Sequence, residues 1–128
     1  MKFLCIYKPA KPEGGLPPPE DMARMGAYIE ESMKSGVLLA TEGCMPSALG
    51  ARVRRTDGKF AVVDGPFTEA KEVIGGYWMI QVRSKEEAIE WASRCPGLDN
   101  EVIEVRQVQE MSDFPPELQQ AAGYTPPA

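Results

Sequence analysis

Apolar residues in this chain fall into short blocks, and only two of the blocks repeat with a helical period. Lys2–Lys8 runs Phe, Leu, Cys, Ile, Tyr without a polar break, which predicts a buried strand. Pro9 to Pro19 holds five prolines and two glycines and reads as a loop. Glu20 and Asp21 suit a helix N-terminus, and Met22, Met25, Gly26, Ile29 and Met33 recur at helical spacing. Gly36 stands where a left-handed residue would close that helix, predicted over about 20–35 as a methionine-rich core stripe. Val37–Thr41 reads as a second strand and Gly43 to Gly50 as a loop.

Ala51–Thr56 and Lys59–Val63 flank Asp57-Gly58, a strong signal for a type I′ hairpin. Tyr77–Arg83 alternates strictly, with Trp78, Ile80 and Val82 on one face and Tyr77, Met79 and Gln81 on the other. Ser84 and Glu87 have capping-box spacing, and Ala88, Trp91, Ala92 and Cys95 give the second helix its apolar face. Pro96-Gly97 stops that helix. Glu101–Gln109 is the last strand, with Ile103 and Val105 opposite Glu104 and Arg106.

The order β-α-β, hairpin, β-α-β predicts an α+β fold, a ferredoxin-like sandwich with two helices on one face of an antiparallel sheet. Residues 1–109 form one domain, and 110–128 read as a loosely packed C-terminal tail. Neither face of 77–83 is plainly polar. An open apolar sheet face invites association, so a homodimer with the two open faces stacked around a cleft is expected.

Composition narrows the chemistry. The 128 residues carry a net charge of −5 and no histidine. That removes the commonest general base near neutral pH and the commonest metal ligand, so no metal or cofactor is expected. No basic stripe suggests nucleic acid, and no apolar run approaches a membrane span. The start carries no signal-peptide pattern, so a cytoplasmic location is expected. Cys5, Cys44 and Cys95 are odd in number and widely spaced, which argues against a disulfide framework. Cys5 and Cys95 read as buried, and Cys44 as exposed in its loop.

The densest motif is Asp64-Gly65-Pro66-Phe67-Thr68-Glu69-Ala70-Lys71-Glu72. With Gly36-Val37-Leu38, Pro46-Ser47-Ala48, Val53-Arg54, Gly75-Gly76-Tyr77, Ala92-Ser93-Arg94-Cys95-Pro96 and Ile103-Glu104-Val105-Arg106, it resembles the Asp-Gly-Pro-Phe (DGPF) subgroup of the YCII-related proteins. The resemblance covers roughly residues 1–109. It implies a dimeric α/β-barrel of ferredoxin-like subunits. It also implies a His–Asp pair, of which only Asp64 has a counterpart here. Members of the subgroup are associated with extracytoplasmic-function sigma factors, so a functional link to such a factor is implied.

Asp64 reads in two ways: a cleft carboxylate acting as catalytic base, or a turn aspartate accepting backbone N–H bonds. Gly65 and Pro66 shape the loop, and Phe67 packs into the core or the dimer seam, or stacks on a ligand. Glu69, Lys71 and Glu72 read as a solvated charged turn. Arg54 and Arg106 could clamp a carboxylate or phosphate, with Glu104 beside Arg106, or Glu104 and Arg106 could form a structural ion pair within or across the dimer. Tyr7 and Tyr77 could offer phenols to the cleft or pack in the core. Three functions stay open: a small-molecule enzyme in the cleft, a ligand-binding or regulatory module without chemistry, and a protein-interaction partner displaying the charged loop.

Overall fold

Four strands build one antiparallel sheet and two more build a separate ribbon. The structure is a computed structural model that describes residues 1–10, 12–67 and 73–125. In chain order the elements are β1 (Lys2–Lys8), α1 (Pro19–Lys34), β2 (Leu38–Gly43), β3 (Ala51–Thr56), β4 (Lys59–Asp64), β5 (Gly76–Gln81), α2 (Lys85–Ser93), β6 (Val102–Gln107) and α3 (Pro116–Ala121). Short 3-10 turns occupy Ser47–Leu49 and Met111–Asp113. The sheet order is β2-β5-β1-β6, and β3-β4 stand apart. This arrangement, with both helices contributing to a core on one face, is compatible with the expected ferredoxin-like topology.

The core is one-sided. Phe3 and Cys5 of β1 and Trp78 and Ile80 of β5 meet Tyr28 of α1 and Ala88 and Trp91 of α2. Ile103 and Val105 pack against this cluster from β6, so their side of the last strand faces the helices as expected. Each large apolar side chain so buried stabilises the fold by about 1.5–3 kcal/mol. Val82 is also buried, just beyond β5. The ladder stops at Gln81 rather than Arg83 because its partner Lys2 lies at the start of β1. Beyond it, Val82 and Met1 exchange backbone bonds at 2.9 Å. β2 begins and ends later than expected, and β6 is shorter at both ends.

The facing stripe of α1 overlaps only in part with the one the spacing suggested: Met25 packs against the core and Ile29 is half-buried. Tyr28 and Ser32 are buried, whereas Met22 is 59% and Met33 64% exposed. Tyr28 wins the inward position because its ring and hydroxyl are both served there. The ring meets Trp78 edge-on, centroids 6.1 Å apart, and the phenol donates to the Trp91 carbonyl at 2.8 Å. The Ser32 hydroxyl donates to the Tyr28 carbonyl one turn back, which satisfies a buried polar group.

At α2 the Ser84 hydroxyl accepts the Glu87 N–H at 3.1 Å, as the capping spacing predicts. The Glu87 carboxylate accepts from Arg83 N–H, one residue before the cap. The C-terminal segment carries short elements, none of which buries a residue. The 3-10 turn at Met111–Asp113 closes its own capping box, and α3 follows. Among the described residues, no helix is long and apolar enough to cross a membrane.

Cys5 is fully buried, Cys95 half-buried and Cys44 exposed. Burial pushes the Cys5 and Cys95 thiols up to about 11, with proximity to Cys95 adding to the effect at Cys5. Titration of native protein with a thiol reagent near neutral pH should therefore modify one cysteine per chain, and Cys44→Ser should remove that reaction. All three should react once the chain is denatured. Rapid modification of Cys5 or Cys95 in the native state would contradict the one-sided core.

Candidate functional site

The signature run begins where the hairpin ends. The β3–β4 turn has Asp57 at φ 53° and Gly58 at φ 76°, the left-handed pair that a type I′ turn requires. β4 then carries the chain to Asp64, paired with Ala51. At Gly65 the N–H donates to the Gly50 carbonyl at 3.0 Å, and the following peptide to Pro66 is cis. The glycine is required by close approach: a Cβ there would fall onto the Ser47 carbonyl.

Ser47 ties this loop to a distant one. Its hydroxyl accepts the Phe67 N–H at 2.9 Å and donates to Glu13 Oε2 at 2.5 Å. The Ser47 N–H donates to Glu13 Oε1 at 2.8 Å. One carboxylate from the proline-rich loop thus clamps the turn on which the signature rests. The Arg52 guanidinium lies 3.8 Å from the Phe67 ring centroid. Phe67 is half-buried under it rather than in the main core.

Glu13 and Arg52 carried no functional signal in the sequence. Glu13 lies 34 residues from Ser47, a separation that no local pattern bridges. The Asp64 side chain is exposed and makes no hydrogen bond or ion pair among the described residues. The ribbon register places Asp64 on the face with Val53, Phe60 and Val62, and Arg54 on the opposite face with Arg52 and Val63. Glu69, Lys71 and Glu72 lie outside the described residues.

A second group of expected residues gathers on the helix-free face of the main sheet. Ile6 pairs with Tyr77 on one side and Glu104 on the other, and Leu4 pairs with Met79 and Arg106. Tyr77 and Glu104 therefore stand two strand spacings apart, about 10 Å. Glu104 is held between cations, 3.2 Å from Lys8 Nζ and 3.3 Å from the Arg106 guanidinium. The hydrogen bond from Lys8, then that from Arg106, holds its carboxyl below the ordinary range. Lys8 is the member of this group that sequence reading missed, because it stood as the last residue of a strand rather than as a partner across 96 residues.

A cavity of about 360 Å³ opens on the other side of the sheet, lined by Tyr7, Ala92, Cys95, Leu98 and Ile103 among others. Tyr7 thus belongs to the helix side and Tyr77 to the open side. None of Asp64, Arg54, Glu104 or Arg106 reaches that cavity. The candidate chemistry therefore lies on open surface, in two groups: the signature loop and the Lys8–Glu104–Arg106 row.

Two consequences can be measured. Gly65→Ala should destabilise the fold by about 1–3 kcal/mol in chemical denaturation, because backbone must shift to admit the methyl group. An unchanged midpoint would mean that the loop is not seated on Ser47. Glu104 should titrate below exposed glutamates when its carboxyl is followed by NMR, and Lys8→Met should raise its midpoint. Because the folded pKa is depressed, the stabilisation from this group is present above the ordinary glutamate range. It is lost as pH falls through the folded value.

Comparison with known proteins places the chain. The family model described as the YCII-related domain matches residues 1–112. An uncharacterised protein of Rhizobium meliloti (strain 1021) is 31% identical over 71 residues, which cover 56% of this chain and 57% of that protein. The match thus spans little more than half of the relative, whose printed name assigns no activity. The long match to the family model, together with the ferredoxin-compatible sheet, shows that this chain belongs to the YCII-related domain family.

Proposed function

We propose that the protein is a homodimer that handles a small anionic metabolite on its open sheet face, in a cleft closed by the second copy. The observation that carries this reading is the Lys8–Glu104–Arg106 group standing over a half-buried apolar floor of Leu4, Ile6, Tyr77 and Met79. Convergent polar groups over an apolar floor are the general form of a small-molecule site. Arg106 anchors a ligand carboxylate or phosphate, taking it in exchange for Glu104, and the Tyr77 phenol adds a donor. Asp64, unengaged at the end of a firmly seated loop, is the proton acceptor. Gly65, Pro66 and Phe67 hold it in place, whereas Arg54, on the opposite face of the hairpin, points away from this cleft.

The Asp64–Phe67 stretch supports membership of the DGPF subgroup, and the topology supports a dimeric α/β-barrel. A cytoplasmic home and a functional link to a sigma factor belong to the same proposal. The absence of histidine favours a second reading, a binding or regulatory module without chemistry.

A thermal-shift screen of small carboxylates and phosphorylated compounds separates these readings. We expect a ligand that raises the melting temperature of the wild type and of Asp64→Asn but not of Arg106→Ala. Conversion of that ligand by the wild type, followed by NMR and lost in Asp64→Asn, identifies an enzyme. Binding with no conversion identifies the module. A panel that shifts no wild-type melting temperature removes the open-face site.

A further inference from the structure

The β3–β4 ribbon is the least covered element of the fold. Every residue of β4 is exposed, and in β3 only Arg52 is half-buried. A two-stranded ribbon so largely exposed is marginal in water. This one nevertheless carries an apolar strip on the face it shares with Asp64 and with Arg55, whose guanidinium stacks on the Phe60 ring 4.4 Å from its centroid. Val53 is 65% exposed, Phe60 64% and Val62 63%, and the register puts all three on one side. Such a strip on a well-paired ribbon needs a partner surface.

The rest of the same chain offers that surface. The open sheet face presents Leu4, Ile6, Tyr77 and Met79 on the side away from α1 and α2. The dimensions agree. Six-residue strands make a ribbon about 20 Å long, and four strands make a sheet about 19 Å across. The charges agree at the level of whole bodies. Arg52, Arg54, Arg55 and Lys59 against Asp57 and Asp64 give residues 51–64 a net +2, so the remainder of the chain carries −7. A basic arm on an acidic body is attracted to a second copy of that body.

Size decides what the arm does. One ribbon face covers roughly 20 by 10 Å, well short of the roughly 800 Å² per partner that a stable interface buries. An arm is therefore a clasp on a larger interface. Sheets packed directly face to face lie about 10 Å apart and are filled by their own side chains. An arm laid along the margin props them apart and leaves room for a ligand.

We infer that the β3–β4 ribbon of each copy is an exchanged arm. It seats its Val53–Phe60–Val62 face on the partner's open sheet, so that each cleft is completed by the partner's hairpin. This rests on the homodimer reading above. The exchange is isologous and closes with two-fold symmetry. It brings Asp64, on the same ribbon face, to the partner's cleft.

The test compares adjacent residues of β4 that point to opposite faces. Val62 and Val63 are both exposed in the single chain, so glutamate at either should leave the subunit fold intact by circular dichroism. Sedimentation analysis should show Val62→Glu weakening the dimer by roughly tenfold or more, and Val63→Glu by no more than about twofold. In a Cys44→Ser background, Val62→Cys with Met79→Cys should give an interchain disulfide under mild oxidation. Val63→Cys with Met79→Cys should not. Amide exchange over residues 59–64 should slow as protein concentration rises. A dimer that is indifferent to Val62→Glu and gives no Val62–Met79 crosslink overturns the arm and leaves the homodimer standing. A wild type that is monomeric at micromolar concentration overturns both.

Discussion

Burial on one face of a single sheet governs the rest of this molecule. Helices α1 and α2 pack their inward residues onto Phe3, Cys5, Trp78 and Ile80, and successive side chains of a strand point to opposite faces. Once Trp78 and Ile80 are committed to the helices, Tyr77 and Met79 must face the other way. The same parity sends Ile103 and Val105 inward and Glu104 and Arg106 outward. The polar row and its apolar floor are therefore by-products of the core. A register slip of one residue would bury Glu104 and destroy both.

A second constraint acts at the signature loop. Its seat is a backbone-to-backbone approach between Gly65 and Ser47, reinforced by the Ser47 hydroxyl and the Glu13 carboxylate. Three loops far apart in sequence thus meet at one hydroxyl. Asp64 leaves this junction exposed, with its carboxylate unengaged among the described residues. The Lys8–Glu104–Arg106 row is also made across strands, but by charge rather than close packing. The two groups are held by different elements, the loop junction and the sheet, and among the described residues the ribbon stands largely exposed. A function that uses both has to bring in something to span them.

Much of this architecture was readable before any coordinates. Strict alternation at 77–82, the Asp57-Gly58 turn, the Ser84–Glu87 spacing and the Pro96-Gly97 stop each state a local rule that nothing tertiary contradicts. The element order followed from them, and with it the ferredoxin-like arrangement. The errors cluster where local signals were degenerate. Methionine, tyrosine and serine all fit a helical period, so spacing alone could not choose the inward stripe of α1. Tyr28 was chosen by Trp78 and the Trp91 carbonyl, both supplied by other elements. The short elements after β6 leave only a weak periodic trace, because their turns are capped by their own side chains and bury no residue.

Local periodicity and turn chemistry, properties of neighbouring residues, thus set the elements, their order and which side of each strand is apolar. Contacts across long stretches of chain had to be made before the site could exist. Glu13 with Ser47, Lys8 with Glu104 and Gly65 with the Ser47 carbonyl join residues whose distance in sequence says nothing of their distance in space. The uncovered ribbon likewise emerged only once the strands were sorted into two sheets. A hairpin looks the same in sequence whether or not a third layer covers it, because covering depends on what the rest of the chain has already buried.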